Sequence, residues 1–145
     1  MLFSKQISVS ASTTEANATP TYIRIRKGVI SKVWITFPAG CAGLVKMRVL
    51  HGGHPFIPVN ADNYIRGDNY TFELPVMYEI TAEPTILTVL VWNDDDTYSH
   101  TVDILFLVLD KSLVLPVGAT EGILESLKSL VIRPMVITEI QRSEL

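Results

Sequence analysis

TILTVLVWNDDDTYSHTVDILFLVL, residues 85–109, holds two apolar runs on either side of a polar link. Runs of this length, rich in β-branched residues and free of glycine and proline, read as strands rather than helices. TILTVLVW (85–92) and HTVDILFLVL (100–109) are apolar on both faces and close enough in sequence to form a hairpin. Burial on two faces needs cover on two faces. One face can meet an opposing sheet. The other needs the C-terminal segment or a neighbouring subunit.

The link between them, NDDDTYSHT (93–101), sets Asp94, Asp95 and Asp96 near His100. A calcium loop needs oxygens converging on one point from alternating positions, with a glycine at the sharp turn. Three consecutive aspartates point in different directions, and the link has no glycine. Asp and Asn bond to their own backbone in ordinary turns. The link therefore reads as a loop.

Working outward, period-two alternation recurs. Ile7 and Val9, Ile23 and Ile25, Val33 with Ile35 and Phe37, Val45 with Met47 and Val49, and Tyr70 with Phe72 and Leu74 each line one face of a short strand. Glycine and proline clusters at 26–28, 38–43, 51–55, 66–69 and 82–84 separate them. The stretch 56–65 reads as a surface excursion with room for a short edge strand; Pro58 argues against a central one. Many short strands between frequent turns indicate a sandwich or barrel. Toward the C-terminus, Ile123, Leu124, Leu127, Leu130 and Val131 form a helical stripe, with Thr120 as N-cap and Pro134 as the stop. The expected fold is all-β, a jelly-roll-like β-sandwich with one C-terminal α-helix. Residues 1–20 form an N-terminal arm and first strand, and 21–111 the sandwich. Residues 112–145 are a helix and tail that pack on the sandwich or on a neighbour. The Ser/Thr/Ala-rich stretch 8–20 reads as an arm that orders on contact.

A chain of 145 residues is one domain and can bury a core without disulfide or metal staples. Charged residues make up 19%, below the usual quarter or so, which points to covered outer surface and favours an oligomer. The longest apolar run, Ile104 to Leu109, is far short of a membrane span. The first twenty residues lack the apolar segment of a secretory signal, which fits synthesis and assembly in a cytoplasm. The net charge of −3, without basic clusters among aromatics, argues against nucleic acid. Seven Lys/Arg against Glu15 in residues 1–50 face ten Asp/Glu against Arg66 in 51–110. This asymmetry fits either complementary neighbouring strands or head-to-tail contact between copies.

Candidate chemistry is sparse. His51, His54 and His100 could together hold zinc, but the first two flank a Gly-Gly turn and nothing near them fixes the third. Cys41 in PAGCAG has no nucleophile elbow and no signature of a cysteine enzyme, and reads as a buried thiol. Trp34 and Trp92 stand in strands, as core or interface anchors or, exposed together, as a sugar platform. No catalytic, cofactor or metal residue is assigned.

KGVISKVWITFPAGCAGLVKMRVLHGGHPFIPVN, YIRGDNYTF and VWNDDDTYSHTVDILFLVL resemble small β-sandwich virion proteins of tailed phages and related viruses, over residues 27–109. The resemblance implies a sandwich or jelly-roll subunit on a virus particle. It most naturally implies a capsid decoration protein, a trimer that cements neighbouring capsomers of the major capsid protein. The expectation is a non-enzymatic virion subunit that assembles through Leu105, Leu107, Ile123, Leu124, Leu127 and Leu130, without cofactor, nucleic acid or membrane. The alternatives are a carbohydrate- or receptor-binding module of a fibre or spike, a cupin-like metal enzyme, and a non-viral filament subunit.

Overall fold

The computed structural model describes residues 1–114. The expected C-terminal helix, with Ile123, Leu124, Leu127 and Leu130, lies outside the described residues. Residues Met1–Asp110 form one compact unit. Of the second unit, the described part is a 3-10 turn, Lys111–Leu113, closed by Val114 N–H donating to Lys111 O at 3.2 Å.

The first unit is all-β, with two antiparallel sheets. Its strands are β1 Leu2–Val9, β2 Thr21–Ile25, β3 Gly28–Phe37, β4 Val45–His51, β5 His54–Ile57, β6 Ile65–Arg66, β7 Tyr70–Ile80, β8 Thr85–Asn93 and β9 His100–Leu109. The four strands of one sheet, sheet A, run in the order β1-β9-β3-β7. Sheet B runs β2-β8-β4-β5, with β6 also paired to β4. Outside the β4-β5-β6 stretch, every connection between consecutive strands passes from one sheet to the other.

This overturns the expected hairpin. β8 pairs with β2 and β4, whereas β9 pairs with β1 and β3. The acidic link carries the chain between sheets. Packed sheets stand about 10 Å apart, a gap that a few extended residues span easily. The crossing places both apolar strands at interior positions of their sheets, so neither exposes a ladder edge.

The alternation decides which side chains meet. Ile7, Val33, Ile35, Phe37, Val102, Ile104, Phe106 and Val108 from sheet A pack on Ile23, Ile25, Val45, Met47, Val49, Leu87, Val89 and Val91 from sheet B. Full burial of such a side chain contributes about 1.5–3 kcal/mol. Cys41 joins this core. The segment expected as an arm is placed within the unit. β1 pairs with β9 along its whole length, and Thr13 makes an isolated bridge to Asn93.

The edge strands carry features that discourage further pairing. Lys5 shares the inward row with Ile104 yet is exposed. Pro75 interrupts β7, and Met77 takes φ +52°. Inward charge, proline and local twist all blunt a sheet edge. At Gly28 (φ +149°), a β-carbon would lie 2.5 Å from the carbonyl oxygen of Leu109. Gly28→Ala is therefore expected to cost about 1–3 kcal/mol through forced displacement of β9. Thermal melting checks this, and an unchanged midpoint contradicts it.

Candidate functional site

Each polar cluster singled out in the sequence acquires a definite place. In the acidic link the three aspartates take three separate partners. Asp94 pairs with Lys46 on β4. Asp96 Oδ1 accepts from the Thr97 hydroxyl at 2.7 Å. Asp95 Oδ1 accepts from the backbone N–H of Thr97 and Tyr98 at 2.8 and 3.1 Å, and Oδ2 lies 2.8 Å from His100 Nε2. Asn93, fully buried, accepts from Asp95 N–H and donates to Tyr98 O. Its backbone exchanges hydrogen bonds with Thr13. The carboxylates brace the crossing and do not converge; among the described residues no group of three or more His, Cys, Asp or Glu could hold a metal.

Asp95 carries a pH signature. The bond to His100, then the two backbone N–H groups, hold its carboxyl below the ordinary value of 3.8. A folded-state pKa below the unfolded one means that the native state is stabilised above the unfolded value. That contribution is lost as pH falls from about 3.8 through the folded value. The melting temperature of the parent is expected to fall steeply in that window. Asp95→Asn should melt lower at neutral pH and show a flatter acid limb. Parallel acid limbs would contradict this assignment.

The histidines separate. His51 and His54 pair across the β4–β5 turn, while Val45, at the other end of β4, pairs with Asn93 beside the link that leads to His100. Seven residues of strand separate the two ends, about 20 Å. His51 Nδ1 lies 2.8 Å from the Tyr78 hydroxyl, and Tyr78 stacks on Phe56 with ring centroids 4.4 Å apart. These contacts tie β7 to β4 and β5. The thiol of Cys41 is pushed up, first by burial and then by the charges of Asp68 and Asp95. A thiol held neutral is a poor nucleophile.

The tryptophans lie on opposite outer faces. Trp92 opposes Lys46 on the outside of sheet B, and Trp34 opposes Leu105 on the outside of sheet A. A joint sugar platform is thereby excluded. Trp92 is buried by its own chain: Tyr64 packs edge-on at 5.5 Å, and the Arg48 guanidinium lies 5.7 Å from its ring centroid. Arg48 is held by Glu15 at 2.8 Å and by the carbonyl of Asn63 at 3.0 Å. Sequence reasoning missed this cover, because nothing in residues 12–17 or 60–64 signals which strand they cross. The charge asymmetry resolves as complementary strands: Arg26–Glu83, Lys32–Glu73 and Lys46–Asp94 each join the basic half to the acidic half.

No family model matches the chain, and no curated protein matches it in sequence. Among solved structures, a chain of the cyanophage Pam1 capsid asymmetric unit is similar at 13% identity and a TM-score of 0.46. That likeness covers 73% of this chain and 81% of the other. The crystal structure of FLHE is similar at 8% identity and a TM-score of 0.35, covering 73% of this chain and 94% of that one.

The outside of sheet A remains the candidate site. Directly opposed residues on neighbouring strands share a face, so the register defines its rows. Leu2, Leu107, Lys32 and Pro75 form the first row. Ser4, Leu105, Trp34 and Glu73 form the second, and Gln6, Asp103, Thr36 and Thr71 the third. Leu2 is 60% exposed, and Leu105, Leu107 and Trp34 are half-buried. Thus the face grades from apolar at Leu2 and Leu107 to polar at Gln6 and Asp103.

Proposed function

We propose that this chain is a non-enzymatic structural subunit of a virus particle, a capsid decoration protein that trimerises and cements the major capsid protein. The observation that carries this reading is the apolar patch of Leu2, Leu107 and Leu105, spread over two neighbouring rows and partly exposed on the outside of sheet A. Contiguous exposed apolar area marks an interaction surface. Permanent assemblies bury about 2,000 Å² or more through such surfaces. Leu105 and Leu107 supply the strand part of the contact. Ile123, Leu124, Leu127 and Leu130 supply the rest, from the C-terminal stripe.

The virion setting rests on the resemblance of residues 27–109 and agrees with the strand order. We read β1-β9-β3-β7 over β2-β8-β4-β5 as a jelly roll, in which the first and last strands are neighbours inside one sheet. That architecture serves viral shells, lectins and cupins alike, so the site must choose among them. The separation of His100 from His51 and His54 disfavours a cupin-type metal centre.

Co-sedimentation with empty shells of the major capsid protein from the same virus tests the reading. Saturation at a fixed number of copies per capsomer is expected. Protein that stays in the supernatant at every concentration contradicts it.

A further inference from the structure

We infer that the groove on the polar half of sheet A's outer face is a binding site for a neutral hexopyranose. The groove has a volume of about 380 Å³ and is lined by Ser4, Gln6, Trp34, Thr36, Asp103 and Leu105. That volume falls within the roughly 300–1,000 Å³ range of small-ligand sites. The inference goes beyond the assembly reading, since it concerns Gln6, Asp103 and Trp34, beside the patch of Leu2, Leu105 and Leu107.

Asp103 stands in the middle of β9, in register with Gln6 on one side and Thr36 on the other. The side chains of Asp103 and Gln6 have no hydrogen-bond or ionic partner among the described residues. This sets Asp103 apart from Glu73, Glu83, Asp94 and Asp95, each of which meets a cation or histidine. It is also not a turn residue whose backbone could explain it. A carboxylate accepts two hydrogen bonds side by side, and a neighbouring amide both donates and accepts. Together they match vicinal hydroxyls on one edge of a sugar ring.

Trp34 supplies the complementary feature. It sits one row along and on the next strand, so it is a diagonal neighbour of Asp103, about 7–8 Å away by backbone spacing. Lys32 Nζ stands 5.9 Å from the centroid of the Trp34 ring, so a pyranose would share the indole with that ammonium, laying its C–H face on the ring and turning its hydroxyl edge to Asp103 and Gln6. The indole face is electron-rich and favours polarised C–H groups. The Thr36 hydroxyl is already bonded to Thr71 at 2.9 Å, which fixes it as a rim rather than a free donor.

Isothermal titration with trisaccharides of glucose, galactose, mannose and N-acetylglucosamine tests the inference. Saturable binding of at least one is expected. Trp34→Ala or Asp103→Asn should weaken it at least about tenfold, a change of about 1.4 kcal/mol. Tyr22→Ala, at an exposed aromatic on sheet B, should leave it unchanged. No saturable binding across the panel overturns the inference, as does binding insensitive to both Trp34→Ala and Asp103→Asn. Light scattering on the same samples separates the two readings: a monomer that binds sugar upholds this one and contradicts assembly.

Discussion

Leu105→Asp combined with Leu107→Asp is expected to dissociate the assembled protein into monomers while leaving each monomer folded. Both side chains project from the outside of β9, where they are half-buried in a single copy. Central interface residues cost about 2 kcal/mol or more each when truncated. Two such losses weaken association by roughly a thousandfold or more, at about 1.4 kcal/mol per decade. A buried aspartate facing an apolar partner adds a desolvation cost on top. The monomer should suffer little, because strand preferences on a half-exposed face differ by only about 1 kcal/mol. Sedimentation velocity and circular dichroism on the double variant check both halves. An unchanged mass, or a monomer that unfolds, contradicts the assignment of this face.

Phe106→Ala should do the opposite. Phe106 lies between Leu105 and Leu107 in sequence but points inward, fully buried, opposite Phe3 on β1 and Val33 on β3. Removing a buried aromatic costs about 3–5 kcal/mol, from lost transfer energy and the cavity left behind. That is a large share of the roughly 5–15 kcal/mol that holds a domain together. The denaturant midpoint should drop sharply and the slope should stay unchanged. A midpoint close to the parent's would mean that β9 does not lie at the centre of the core. Adjacent positions on one strand thus separate folding from assembly.

Much of this was legible in the sequence because strand periodicity is a local property. The rows Ile23–Ile25, Val33–Ile35–Phe37 and Val45–Met47–Val49 were readable as inward faces, and all are buried. The partners of each strand were not readable. β8 and β9 sit close in sequence with a polar link between them, and the same pattern suits a hairpin or a crossing. The deciding contacts are Asx bonds around Asn93 and Asp95, together with a bridge from Thr13 some eighty residues earlier. β7 runs on past Pro75 to Ile80, which the sequence did not reveal because proline at an edge strand looks the same as proline in a turn.

The apolar outer faces divide in a way that patterning could not show. On sheet B, Trp92 is covered by Tyr64 and Arg48 of the same chain, so part of the apparent need for a neighbour is met internally. On sheet A, the patch of Leu2, Leu105 and Leu107 stays partly exposed. Assembly therefore rests on β1 and β9. The groove at Asp103 was missed because its residues come from three strands far apart in sequence. Only the register brings Gln6, Trp34 and Asp103 to one face.

The assembly reading stands on the apolar end of sheet A's outer face, around Leu2, Leu105 and Leu107, being covered by other copies. Sedimentation equilibrium across the micromolar range tests it most directly. The account predicts a species of three times the 16.1 kDa chain mass, persisting on dilution. A mass of 16.1 kDa at every concentration would contradict it.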